Sequence, residues 1–193
     1  MRITREKKQE NRDRIVTIAS EMFRERGFDG VGVADLMERA GLTHGGFYNH
    51  FASKDALIAE ASAKGFDDTV ASYTGYDASD AIDAYISRAH RDARGQGCTA
   101  AALGGEAARL PEEARSVFGD GVEGLVEMFA NSIAAKQLSG VEARARAISV
   151  LAQAVGALVL SRACPDTSAL ADEILDTCRA DCRAATANGA QKQ

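Results

Sequence analysis

Between Thr43 and Lys54 the chain gathers side chains able to make hydrogen bonds at a surface: Thr43, His44, Tyr48, Asn49, His50 and Lys54, with Gly45 and Gly46 among them. If these residues lie on a helix, His44 and Asn49 present polar tips of the kind that read base edges in the roughly 12 Å wide major groove. Each of the two glycines costs a helix interior about 1 kcal/mol relative to alanine. Close approach of the backbone to DNA is one reason to keep them, and close packing against another helix is the other. No glycine-rich phosphate loop, Ser/His/Asp arrangement or paired metal motif accompanies this cluster, so neither a catalytic residue, a metal nor a cofactor is expected.

Cysteine chemistry is the second possibility. Cys98 follows Gly97 near an expected helix start, where the positive helix end favours a thiolate. Cys98 or Cys164 as a sensor of oxidants or electrophiles is the sharper reading, and a buried small residue is the plainer one. Cys178 and Cys182 lie one helical turn apart, but a structural zinc needs about four ligands and His90 is the only histidine outside residues 44–50. Both are read as packing residues, and all four cysteines as reduced thiols.

Helices must position these groups. Ile15, Ile18, Ala19, Met22 and Phe23 recur at i, i+3, i+4, i+7 and i+8, one stripe of a first helix over residues 5–26. Gly27 is expected to close it in the left-handed conformation, letting Phe28 fold back on the core. A short second helix, with Val33, Leu36, Met37 and Ala40 buried, ends at Gly41. Thr43 is placed to cap a third through Phe47 and Tyr48 to His50, and Ser53 to cap a fourth over residues 54–66. Two short helices joined by a glycine-containing turn form the helix-turn-helix pattern.

The run from Gly27 to Leu57 closely resembles the DNA-binding domain of the TetR/AcrR family of bacterial regulators. The resemblance rests on the first-helix stripe, Gly27-Phe28, Ala40-Gly41-Leu42-Thr43, Phe47-Tyr48, His50-Phe51 and Ser53-Lys54, all in register, and covers about the first sixty residues. It implies that Tyr48 and His50 bind phosphate, that Lys54 adds a point charge, and that Thr43 caps its helix and touches the DNA backbone. Burial as satisfied polar residues is the alternative for Tyr48 and His50, whereas Phe47 and Phe51 read as core. Two positions depart from the pattern. Met37 stands where many such motifs carry alanine, implying wider helix packing, and Gly32 stands where Ser or Thr usually caps the second helix.

Charge distribution agrees with a DNA-facing amino terminus. The net charge is −5, yet residues 1–54 hold ten Lys/Arg against eight Asp/Glu, leaving thirteen against twenty for the rest. Six basic residues, Arg2, Arg5, Lys7, Lys8, Arg12 and Arg14, crowd the tip. A solvated amino terminus is the plainer reading of that run.

Only two prolines, Pro111 and Pro165, interrupt a chain rich in helix formers, so the fold class is all-α: a helix-turn-helix domain over residues 1–52 and a larger helical effector-binding and dimerisation domain over 53–193. In the larger part helices are expected over residues 98–109, from Pro111 to about Leu138, over 142–162 and over 168–187. The last two carry a surplus of apolar surface that suggests a homodimer, although covering the domain core would explain it equally. The family resemblance implies a pocket in this domain whose ligand shifts the spacing of two DNA heads. Phe66, Tyr73, Tyr85, Phe118, Met128 and Phe129 are its candidate lining, with Tyr76 beside them, suiting a hydrophobic effector; each is otherwise plain core. No stretch approaches about 18 uninterrupted apolar residues, and residues 1–11 are charged, so a soluble cytoplasmic protein without a membrane partner is expected.

The expectation is therefore a repressor released from a palindromic double-stranded operator by a small hydrophobic effector. A thiol-based sensor of the same fold and a helical protein-interaction module are the alternatives, and an enzyme is not expected.

Overall fold

The computed structural model describes residues 4–134 and 139–187, and among them every regular element is a helix. Arg2 and the expected helix end at Leu138 lie outside the described residues.

Helix α1 (Arg5–Arg26) begins where the Thr4 hydroxyl accepts from the backbone N–H of Lys7 at 3.2 Å. It ends at Gly27, with φ at 78° as expected of a closing glycine, but ψ at 166° rather than the left-handed value. That extended ψ, open chiefly to glycine when φ is positive, turns the chain so that Phe28 meets Phe23 edge-on at 5.5 Å. α2 (Val33–Arg39) starts at Gly32 without a side-chain cap, and its Leu36 and Met37 pack with Ile15, Ala19, Met22 and Phe23 in one core.

The next segment differs from expectation. Residues His44–Asn49 form a 3-10 helix, not an α-helix, and Thr43 precedes it with no side-chain cap bond. Instead the Thr43 carbonyl accepts from Gly46 N–H at 2.9 Å, the i to i+3 spacing of the tighter helix. Two adjacent glycines weaken the case for a longer α-helix, and burial of Phe47 and Phe51 on either side of Tyr48 sets the tighter winding.

α3 (Lys54–Ser72) opens where the Ser53 hydroxyl accepts from Ala56 N–H at 3.1 Å, and runs six residues past its expected end. It packs on both α1 and α7 (Glu112–Ala134), and one hydrophobic core runs from α1 and α2 through it to α7. At the α3–α7 crossing Phe66 meets Phe118 edge-on at 4.9 Å. A Cβ at Gly121 would lie 2.1 Å from the Phe66 ring, so only glycine allows this approach.

α4 (Ala78–Tyr85) packs on the last helix and on α7, the short α5 (Arg88–Asp92) packs on α8 (Gly140–Ala163), and α6 (Thr99–Ala107) packs on both α3 and α8. α8 begins with a reciprocal capping box between Ser139 and Glu142, and α9 (Ala169–Ala187) packs back along it. Among the described residues α8 alone is long and apolar enough to cross a bilayer by length and composition, at a mean hydropathy of 1.4. Its Ala147, Leu151, Ala154 and Leu158 are nevertheless core residues, and its Arg144 is paired with Glu123 of α7 at 2.8 Å.

Candidate nucleic-acid interface

The 3-10 helix sorts the candidate DNA contacts by face. With three residues per turn, His44, Phe47 and His50 share one row, Gly45 and Tyr48 a second, Gly46 and Asn49 a third. Phe47 is fully buried and anchors the element, its ring 5.5 Å from that of Phe51. Tyr48 is 69% exposed and stands edge-on to Phe47 at 5.2 Å, which holds an otherwise free phenol in a defined direction. Thr43, His44, Gly45 and Asn49 are exposed too. Of the residues singled out for DNA, Thr43, His44, Gly45, Tyr48 and Asn49 are thus exposed at this short helix, whereas Gly46, His50 and Lys54 are half-buried.

The two glycines part company. No atom lies within 4 Å of a Cβ built at Gly45, whereas one at Gly46 would be 3.6 Å from the Met37 methyl and from the Thr43 hydroxyl. Both 3.6 Å separations are ordinary van der Waals contacts, so an alanine would fit at either position and packing demands glycine at neither.

His50 and Lys54 are only half exposed. The His50 ring is pushed below its ordinary pKa by burial, then by the positive charges of Lys8 and Arg12, so it is neutral at pH 7. Its Nδ1 is buried with no partner among the described residues. The Lys54 ammonium donates to the Phe28 carbonyl at 2.6 Å, joining the start of α3 to the corner after α1 while leaving further donors on the same nitrogen.

The basic tip divides likewise. Arg12 forms a two-pronged ion pair with Glu60 of α3 and lies 4.6 Å over the Phe51 ring, so it fastens α1 to α3. Arg5, Lys7, Lys8 and Arg14 remain on the surface of α1.

In the body, the effector candidates scatter. Phe66 and Phe118 pack on each other, while Tyr85 and Phe129, 6.1 Å apart, are fully buried core. Met128 packs partly buried against that core. Of the six, Tyr73 alone reaches the cavity of about 260 Å³ between α3, α5 and the start of α6. Polar residues that periodicity did not single out, Thr69, His90 and Gln96, line it beside Cys98. His90 is locked there: its Nε2 accepts the Cys98 N–H at 2.9 Å, and its Nδ1 lies 2.7 Å from the Tyr85 carbonyl.

Cys98 does sit at the start of a helix, as N-cap of α6, but it is fully buried. Burial raises the thiol pKa and outweighs the stabilising bonds from Tyr85 and the backbone of Ala101 and Ala100. The thiolate expected from the helix end is therefore disfavoured. Cys182 is buried as well and pushed up to about 12, chiefly by burial, while Cys164 and Cys178 are half-buried. Among the described residues no group of three or more His, Cys, Asp or Glu is arranged to hold a metal ion.

Sequence matches to known proteins cover only part of the chain. Residues 15–61 match the family described as "Bacterial regulatory proteins, tetR family". The HTH-type transcriptional repressor KstR2 of Rhodococcus jostii is 29% identical over 84 residues, 41% of this chain and 41% of that protein. The HTH-type transcriptional regulator TtgR of Pseudomonas putida is 40% identical over 58 residues, 30% of this chain and 28% of that protein. The matched region thus spans less than half the length of these relatives.

Solved structures extend the likeness in shape. The reduced form of NemR from E. coli superimposes with a TM-score of 0.75 at 21% identity, covering 91% of this chain and 96% of that one. A TetR transcriptional regulator from Chloroflexus aurantiacus gives 0.73 at 22%, covering 95% and 97%. At these identities the body shares the fold of those regulators.

Proposed function

Because residues 15–61 belong to the tetR family of bacterial regulatory proteins and the chain has the all-helical fold of such regulators, we propose that it is a DNA-binding transcriptional repressor acting as a homodimer. The observation that carries this reading is the 3-10 helix, where Tyr48 stands exposed on a buried Phe47 with His44, Gly45 and Asn49 exposed around it. Tyr48 and His50 hold phosphate, Lys54 adds charge beside the positive end of α3, Thr43 touches the backbone, and His44 and Asn49 meet base edges. The functional boundary falls near residue 52, with the DNA head before it and the effector-binding and dimerisation part after it.

Val141, Ile148, Val159 and Leu160 of α8 and Leu170 of α9 are large apolar residues left exposed. A second copy of the chain covers them, and the pair sets two heads about 34–36 Å apart, in successive major grooves of an imperfect palindrome. A small effector enters the body at the cavity beside Tyr73, the one expected aromatic in its lining, where Thr69, His90 and Gln96 add polar groups. It binds better when the heads are wrongly spaced, and linkage then weakens DNA binding by the factor by which DNA weakens its own. Such a protein works in the cytoplasm, without catalysis.

The test is fluorescence anisotropy with labelled DNA from the gene's own upstream region and a scrambled duplex, at two salt concentrations. Tight, sequence-selective binding that weakens steeply with salt supports the reading. A chain that binds neither duplex, or stays monomeric at micromolar concentration, overturns it.

A further inference from the structure

The end of α1, the 3-10 turn at Arg94–Gln96, α6 and the end of α8 border an open cleft of about 590 Å³. Five arginines line it: Arg24, Arg26, Arg94, Arg109 and Arg162. They come from four separate stretches of chain, so no sequence run announces the cluster.

Two of these guanidinium groups are held deep. Arg24 is 7% exposed; its Nε donates to the Gly95 carbonyl at 2.8 Å and its Nη1 to the Ser20 hydroxyl at 2.6 Å. Arg162 is half-buried and donates to the carbonyls of His90, Arg91 and Ala101 at 2.8, 2.9 and 3.3 Å. Among the described residues no carboxylate lies within ion-pair distance of Arg24, Arg94, Arg109 or Arg162. Buried charge is costly unless paired, and neutral carbonyls and a hydroxyl only partly compensate it. Burial accordingly lowers the pKa of both Arg24 and Arg162, offset in part for Arg24 by the charges of Asp68 and Glu21 and reinforced for Arg162 by that of Arg94.

The two acids in the cleft are otherwise engaged. Glu25 lies 3.9 Å from Arg26, and Glu106 accepts the Phe28 backbone N–H at 2.8 Å. Positive charge is thus left in excess in a concave space of metabolite size, beside a small apolar surface of Ala101 and Ala102.

We propose that this cleft binds a small oxyanion carrying at least two negative charges, a phosphorylated or polycarboxylate metabolite, as the counter-ion of Arg162, Arg94 and Arg109, over the fixed charge of Arg24. Arg94 and Arg109 close over it from the rim. The ligand touches α1 of the head together with α6 and α8 of the body, so its occupancy ties the two parts at a place distinct from the cavity beside Tyr73. The site does not depend on the repressor reading.

Isothermal titration of the full chain with pyrophosphate and with citrate, in low-salt buffer free of phosphate, tests it against sodium chloride of matched ionic strength. Saturable binding of one anion per chain is expected, weakened about tenfold or more in an R94Q/R109Q double variant that loses two charged contacts. Both arginines are exposed, so the variant keeps its fold, which circular dichroism checks. A K7Q/K8Q variant, changed at the other basic surface, is expected to bind as the parent does. Heat no greater than that of sodium chloride, or equal loss in both variants, overturns the proposal. So does an R94Q/R109Q protein that weakens only for DNA, since the cleft then serves the duplex. DNA affinity of the unaltered chain is read separately, so failure here and failure of the repressor reading are distinguishable.

Discussion

The Glu106 carboxylate accepts the backbone N–H of Phe28 at 2.8 Å, across 78 positions of sequence. One of its oxygens would lie 2.6 Å from a Cβ at Gly27, so the body's α6 grips the corner where α1 turns into α2. Replacing Glu106 with Ala removes a charged acceptor and leaves a part-buried donor unpaired, at a cost of about 1–3 kcal/mol. Glu106→Gln keeps an acceptor oxygen and is expected to recover most of that, as urea unfolding of both variants will show.

Phe47 and Tyr48 are neighbours with opposite duties. Phe47→Ala empties a fully buried site and is expected to cost about 3–5 kcal/mol. Tyr48→Ala, at an exposed position, should change stability little while lowering affinity for the upstream DNA severalfold. Thermal melts paired with anisotropy separate the two, and native-like DNA affinity in the Tyr48 variant would contradict the interface.

Gly45→Ala probes the approach of the backbone to DNA. The new methyl meets nothing in the protein, so folding should be unharmed, or improved by up to about 1 kcal/mol. It stands in the same row as Tyr48 on the face offered to the groove. Weaker DNA binding in a more stable protein is the expected outcome; unchanged binding would show that DNA does not come so close.

His90 makes stability depend on pH. Its Nε2 accepts the Cys98 N–H, so the proton belongs on Nδ1, toward the Tyr85 carbonyl, and the folded ring is neutral. Burial, with a smaller push from Arg162, lowers its pKa to about 4 despite the bond to Tyr85. The unfolded chain takes up this proton near its ordinary 6.5. The contribution is therefore fully present above that pH and lost as pH falls toward 4, roughly 2 kcal/mol disappearing between pH 7 and pH 5. Urea titrations at the two pH values should show the slope, and His90→Gln, which cannot titrate, should flatten it.

Thiol access gives a fourth kind of measurement. Cys98 is fully buried with a raised pKa, whereas Cys164, at the end of α8, is half-buried. Iodoacetamide at pH 7 is expected to label Cys164 well before Cys98 in the folded protein, the difference vanishing in urea. Rapid labelling of Cys98 would favour the thiol-sensing alternative, and a Cys98→Ser protein that keeps its response to every oxidant would end it.

Helix positions, the turn at Gly41 and the surface cluster from Thr43 to Asn49 were legible in the residues, because stripes, caps and helix-closing glycines act over four or fewer positions. The stripe from Ile15 to Phe23 and the cap at Ser53 are of this kind. Winding was not: whether six residues around Gly45 and Gly46 coil as α or 3-10 depends on where Phe47 and Phe51 are drawn by the distant core. Nor could periodicity tell which aromatics face a cavity, since Phe66 and Tyr73 lie on the same helical pattern and only α7, packed over Phe66 at Gly121, distinguishes them. The Glu106 clasp, the burial of Cys98 and the meeting of five arginines from four stretches of chain join residues tens of positions apart. Such contacts leave no periodic trace in the chain, because they are set by how whole helices pack, and that packing alone determines which charges lose their water.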